Sequence, residues 1–270
     1  MSYIEISFTG LAIETSDVLV AMLSDIHYEG FEEDTGSLKA FIPEILFDEA
    51  QLNNIIKQLE VSYTIAELPD VNWNEVWESN FQPIIVGNWA IRAEFHHPIA
   101  TVQYEIIITP KMSFGTGHHA TTFMMIQHMQ QIDFTGKRVF DFGTGTGVLA
   151  ILAHKLGAPA VLAIDNDTLS IENAMENFEK NDVKNIELVL ADTASVDGVY
   201  DIILANITRN VIKENFSLFN KHLASEGLLL LSGLLTEDED AVLSLAAGYG
   251  FVLQKNLQRE NWISLLLVKQ

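Results

Sequence analysis

The chain has 270 residues, enough for one large domain or two smaller ones, and no cysteine, which excludes disulfides and thiolate metal sites. Its 37 acids against 15 bases give a net charge of −22, which repels nucleic acid and anionic membranes and attracts basic partners. No apolar run approaches the length of a bilayer span, and the N-terminus MSYIEISFTG has no basic segment before an apolar core, so the expectation is a soluble, cytoplasmic protein without a membrane partner.

The charge is unevenly spread. Residues 1–70 hold 14 acids and only Lys39 and Lys57, whereas 71–270 hold 23 acids and 13 bases. The first segment is therefore the expected docking surface for a basic macromolecule, against the simpler reading that an acidic surface only confers solubility. Within it, residues 3–8 alternate as a strand does, and 14–24 carry a helical stripe with Val18, Leu19, Met22 and Leu23 on the apolar side. A strand near 27–31, a strand at 38–42, a helix at 47–59 with Leu52, Ile55, Ile56 and Leu59 inward, and a strand at 61–66 complete the order β-α-β-β-α-β. That order predicts a small ferredoxin-like α+β domain over 1–68, a binding or assembly module by default.

Residues 69–100 read as a Trp-rich linker. Trp73 and Trp77 are four apart and share a face if helical, Phe81 and Trp89 follow, and Pro83 limits the helix before a strand start at Ile84. The cluster reads as packing for a linker helix, compatible with lining a cleft. From 101 the pattern becomes α/β. Tyr104 to Thr109 is a strand, and 111–122, KMSFGTGHHATT, is a glycine-rich turn with Phe114 at its head. The adjacent His118 and His119 diverge and have no carboxylate at ligand spacing, so no metal is expected. Thr121 and Thr122 stand at a helix start, where their hydroxyls cap the helix or meet a ligand. The loop reads as a lid or wall over a site.

That site opens in 137–149, KRVFDFGTGTGVL: a strand, three alternating glycines (Gly143, Gly145, Gly147), and a helix N-terminus offering N–H donors. A second hydrophobic run ends in Asp165, 22 residues beyond Gly143, where a nucleotide-binding α/β unit puts the acid that takes two ribose hydroxyls. A helix over 168–179 carries Asn173 and Asn177, read as surface or turn-stabilising amides. The strand 186–190 leads to Asp192, which reaches an adenine amino group or caps a helix, the two readings being even. The near-continuous apolar strand 200–207 ends in Asn206, at the sheet edge where open α/β sheets bind ligands. Helix 210–222, strand 227–232 with Ser232-Gly233-Leu234 as a further wall, and helix 237–247 follow. A closing hairpin of strands 251–257 and 262–268 suits a seven-stranded methyltransferase sheet whose last strand inserts antiparallel.

The chain resembles the ribosomal protein L11 methyltransferases along nearly its whole length. The resemblance rests on the Trp-rich stretch from Trp73 to Pro83, FGTGHHATT at 114–122, DFGTGTGVLAI at 141–151, Asp165, and LANI at 204–207. DxGxGxG alone indicates only a class I methyltransferase; the FGTG-x-H-x-TT loop upstream narrows it, as does Ala-Asn-Ile where many amino-methylating relatives have Asn-Pro-Pro-Tyr. His118 and Ala120 depart from the family's usual Thr and Pro, and Phe142 is larger than usual. The resemblance implies a class I methyltransferase domain over 101–270 using S-adenosylmethionine. It implies cofactor contacts from Thr122, Gly143, Asp165 and Asn206, with Gly145 and Gly147 completing the loop, Phe114 closing over it and Asp192 at the base. Asn206 is the expected catalytic residue, the N-terminal domain grips L11, and the enzyme works as a monomer on lysine or N-terminal amines. The rivals are a class I methyltransferase acting on another protein or a small molecule, and a non-catalytic binding protein retaining the fold. An NAD-linked oxidoreductase predicts G-x-G-x-x-G and a proton-shuttling residue, and neither stands here.

Overall fold

A computed structural model describes residues 3–34, 36–59, 61–68, 81–110 and 117–270. The chain divides into two compact units, Met1–Asn80 and Phe81–Gln270. The first holds β1 (Tyr3–Thr9), α1 (Ile13–Ser24), β2 (Gly30–Asp34), β3 (Ser37–Pro43), α2 (Glu49–Leu59) and β4 (Tyr63–Leu68). The strands form an antiparallel sheet in the order β2-β3-β1-β4, the ferredoxin-like arrangement. Alternation sends Ile4, Ile6 and Phe8 to one face, opposite Ile42, Ala40 and Leu38, where Leu19, Leu23, Leu52 and Ile55 of the helices cover them. Val18 departs from the expected stripe: it is 44% exposed, because it lies about 100° around the helix from the buried Leu19.

In the second unit, β5 (Ile84–Val86), β6 (Trp89–Ala93) and β7 (Tyr104–Ile108) make a three-stranded sheet, antiparallel then parallel. The linker expected over 69–100 therefore straddles the division between units. Residues 69–80, with Trp73 and Trp77, lie outside the described residues. Residues 81–100 fold with the second unit. Trp89 is buried and stacks on Tyr104 at 4.6 Å, and Phe81 meets His118 edge-on at 4.6 Å. A buried guanidinium holds this small sheet. Arg92 donates to both Glu105 oxygens at 3.0 and 3.1 Å and to the carbonyls of Ala93 and His96 at 3.2 and 3.0 Å.

The main sheet has seven strands in the order β10-β9-β8-β11-β12-β14-β13. They are β8 (Arg138–Phe142), β9 (Ala160–Asp165), β10 (Ile186–Leu190), β11 (Tyr200–Asn206), β12 (Leu223–Leu235), β13 (Phe251–Arg259) and β14 (Trp262–Lys269). Strands β8 to β12 are parallel, and β14 inserts antiparallel between β12 and β13. Helices α3 (Ala120–Met129), α4 (Val148–Lys155) and α5 (Thr168–Lys180) cover one face, and α6 (Arg209–His222) and α7 (Glu239–Gly248) the other. Successive residues of each strand feed opposite cores, as with Val139 and Phe140, which explains why these strands read as continuous apolar runs. The chain leaves β8 in one direction for β9 and β10, then crosses to β11, so β8 and β11 flank a switch point at their carboxyl ends. Asn173 and Asn177 are buried between α5 and β7, not surface amides.

Arg92 hydrogen bonds hold the Glu105 carboxyl below the usual carboxylate range, so this pair stabilises the fold above that range and is lost as Glu105 protonates. Arg92→Ala is expected to cost about 3 kcal/mol in guanidinium unfolding at pH 7, with a smaller loss near pH 3. An equal loss at both pH values would contradict this account.

Candidate functional site

The glycine loop is held by carboxylates on two neighbouring strands. Alternation along β8 turns Asp141 to the same face as Val139, beneath α4, and buries it completely. Its Oδ2 accepts the Thr144 hydroxyl at 2.6 Å, while Oδ1 has no hydrogen-bond partner among the described residues. Burial pushes this carboxyl up to about 7, against the opposing pull of the Thr144 hydroxyl. On β9, Asp165 Oδ2 accepts the Gly145 N–H at 2.8 Å and Oδ1 the Asp167 N–H at 3.1 Å. The amides of Gly143 and Thr144 both point to the Ile164 carbonyl at 2.9 Å, and Gly147 N–H to the Thr144 carbonyl at 2.9 Å.

These donors are therefore committed inside the protein. The expectation that the loop offers its N–H groups to a ligand is revised: its glycines supply room. Gly143 has φ +76°, and a Cβ there would lie 2.4 Å from Ile207 Cγ2. Gly233, at φ +83°, would bring a Cβ to 2.2 Å from the Ile207 carbonyl oxygen, a backbone atom that cannot yield.

A cavity of about 430 Å³ opens above the carboxyl ends of β8, β9, β11 and β12. Thr121, Gly143, Gly145, Asp165, Asp192, Asn206 and Gly233, all singled out in the sequence, line it. Three others do not. Phe114 lies outside the described residues. Thr122 is buried behind the wall, where its Oγ1 accepts from Asn206 Nδ2 at 3.2 Å, and its neighbour Thr121 takes the lining place. Gly147 precedes α4 and packs on α5: a Cβ there would lie 2.5 Å from Phe178 Cε1. His119, from the stretch read as a wall, lines it too, and Trp262 was not expected from the sequence. Their rings meet edge-on at 4.7 Å, because the antiparallel insertion of β14 sets Trp262 opposite Leu235 beside the α3 N-terminus. Among the described residues, no group of three or more His, Asp or Glu is placed to hold a metal ion.

Residues 5–270 match the family model described as ribosomal protein L11 methyltransferase. The chain belongs to the ribosomal protein L11 methyltransferase family. It is 39% identical to the protein of that name from Porphyromonas gingivalis, over 94% of this chain and 91% of the relative. It is 36% identical to the one from Chlorobaculum tepidum, over 98% and 96%. A crystal structure of the ribosomal protein L11 methylase from Lactobacillus delbrueckii subsp. bulgaricus matches with a TM-score of 0.66 and 30% identity, covering 70% of this chain and all of that one.

The fold is accordingly that of a class I methyltransferase, and the family uses S-adenosylmethionine. The cavity fits that cofactor chemically. Asp165 and Asp192 line it, and among the described residues no Lys or Arg does, so a phosphate-bearing nucleotide meets negative charge there while a phosphate-free nucleoside carrying a cationic sulfur meets complementary charge. Asn206 lines the cavity, and its Oδ1 is buried without a hydrogen-bond partner among the described residues.

Because Asp141 is raised in the folded state, it removes stability as pH climbs from about 4 to about 7. Asp141→Asn is expected to flatten that decline: thermal unfolding of the ligand-free variant should lose less between pH 5 and pH 8 than the parent does. Parallel pH profiles would show that the carboxyl is ionised in the native state throughout.

Proposed function

We propose that the chain transfers methyl groups from S-adenosylmethionine to lysine side-chain and N-terminal amines of ribosomal protein L11. It acts in the cytoplasm, as a monomer, on a basic protein and not on nucleic acid. The relatives are named for methylation of this ribosomal protein, and the observation that carries the reading is the cavity itself: Asp165 and Asp192 line it, no Lys or Arg among the described residues does, and Asn206 on its wall keeps an unpaired carboxamide oxygen. The acidic N-terminal unit, with 14 acids to two lysines over residues 1–70, supplies the attraction for a basic substrate.

When bound, S-adenosylmethionine supplies an electrophilic methyl group on a positively charged sulfur. Each Asp165 oxygen already accepts one backbone N–H and keeps a lone pair for a ribose hydroxyl. Asp192 stands where it accepts from the base amino group, and Gly143 and Gly145 leave space for the amino-acid end. Asn206 orients the acceptor amine: its Nδ2 is fixed on Thr122, so Oδ1 faces the amine N–H. Thr122 thus acts through Asn206. A free lysine, with pKa about 10.4, reaches the site mostly charged and must shed its proton to water before attack. Placement then carries most of the acceleration, since effective molarity can supply about 7–11 kcal/mol.

Intact-mass spectrometry of recombinant L11 incubated with this protein and S-adenosylmethionine should show gains in steps of one methyl group, mapped to lysines or the N-terminal amine. No gain, with cofactor binding intact, would overturn the substrate. Asn206→Ala should lower kcat at least about tenfold, the worth of one buried hydrogen bond; full activity would remove Asn206 from the mechanism.

A further inference from the structure

Among the described residues the outer edge of β7 has no neighbouring strand, yet its backbone is paired. Asn181, at the end of α5, accepts the Ile107 N–H at 3.0 Å and donates to the Ile107 carbonyl. One turn back, Asn177 Oδ1 accepts the Thr109 N–H at 2.7 Å. One turn further, Asn173 Nδ2 donates to the Thr109 carbonyl at 3.1 Å. The match is geometric. Four residues of helix rise about 6.0 Å and two residues of strand about 6.6 Å, so an asparagine at every fourth helical position meets every second residue of a strand edge. The three carboxamides replace a missing strand.

Asn177 does more than its two neighbours. Its Nδ2 also donates to the Thr146 carbonyl, in the glycine loop, at 2.8 Å. A single buried side-chain amide therefore joins two chain segments. One is the glycine loop, whose Gly143 and Gly145 line the cavity. The other is Thr109, just beyond the end of β7. Asn181 reaches only β7 and the α5 backbone and touches neither wall of the cavity.

We propose that Asn177 is a positioning residue for the methyl-donor cavity, its one carboxamide setting the glycine loop against the end of β7. The proposal rests on the reading of that cavity as the S-adenosylmethionine site. It separates Asn177 from a merely structural amide, because its Thr146 bond anchors the glycine loop whose Gly143 and Gly145 line the cavity, whereas the Asn181 side chain bonds β7 and the α5 backbone.

The test is a calorimetric titration of S-adenosylmethionine into the full-length protein, Asn177→Asp and Asn181→Ala, with the melting temperature of each. Aspartate keeps the shape of asparagine and the acceptor for Thr109, but sets an oxygen without a hydrogen against the Thr146 carbonyl. Both variants should melt lower than the parent. The Kd should rise about tenfold or more in Asn177→Asp and stay within about twofold in Asn181→Ala. A parent-like Kd in Asn177→Asp, or an equal rise in both variants, would overturn the proposal while leaving the cofactor assignment standing. No binding to the parent would overturn that assignment, and the positioning role with it. If Asn177→Asp does not fold, Asn177→Ser, smaller and uncharged, is read by the same criteria.

Discussion

Two carboxylates on adjacent parallel strands organise this molecule. Asp141 on β8 takes the Thr144 hydroxyl, and Asp165 on β9 takes the Gly145 N–H, so a loop of three glycines with positive φ is pinned from both sides. Glycine loses more backbone freedom on folding than any other residue, and a loop this rich in it needs such anchors to hold one shape. The hydrogen bonds of Gly143 and Thr144 to the Ile164 carbonyl complete the pinning. Everything functional is set by that loop: the room beneath the cavity, the height of the Asp165 carboxylate and the closeness of Ile207.

The same arrangement determines what the cavity accepts. In many α/β sites the loop N–H groups and the helix dipole attract phosphate. Here the amides of Gly143, Thr144, Gly145 and Gly147 are spent on protein acceptors, and the lining adds Asp165 and Asp192 with no Lys or Arg among the described residues. The fold is that of nucleotide-binding sheets, but the electrostatics select a phosphate-free, cationic nucleoside. Asn206 finishes the site from the other side of the switch point. Its amide nitrogen is held by a buried threonine, and its oxygen has no hydrogen-bond partner among the described residues.

Much of this was legible in the sequence because it follows from period and spacing. The alternation of 3–8, the apolar runs at 138–142, 160–165 and 200–206, and the glycines before Val148 define their elements with no tertiary information. Asp165 and Asn206 were legible because strand ends at a switch point bind ligands in this architecture. What escaped depends on contacts far apart in the chain. His119 and Trp262 are 143 residues apart and meet only through the insertion of β14. Asn173 and Asn177 look like exposed amides, since polar residues four apart on a helix normally face water; only the unpaired edge of β7 explains their burial. The recurrence of asparagine at 173, 177 and 181 was the available signal. Thr122 reads as a ligand contact by its place in the motif, whereas its hydroxyl faces Asn206. The commitment of the loop amides was also hidden, because whether an N–H is free depends on what stands opposite it.

The most direct test of the account is a crystal structure of the protein with S-adenosylhomocysteine. The account predicts the ribose hydroxyls on Asp165, the base beside Asp192, and the sulfur facing the Asn206 carboxamide. A ligand bound away from the ends of β8, β9 and β11, or one leaving Asp165 in contact with Gly145 and Asp167 alone, would contradict it.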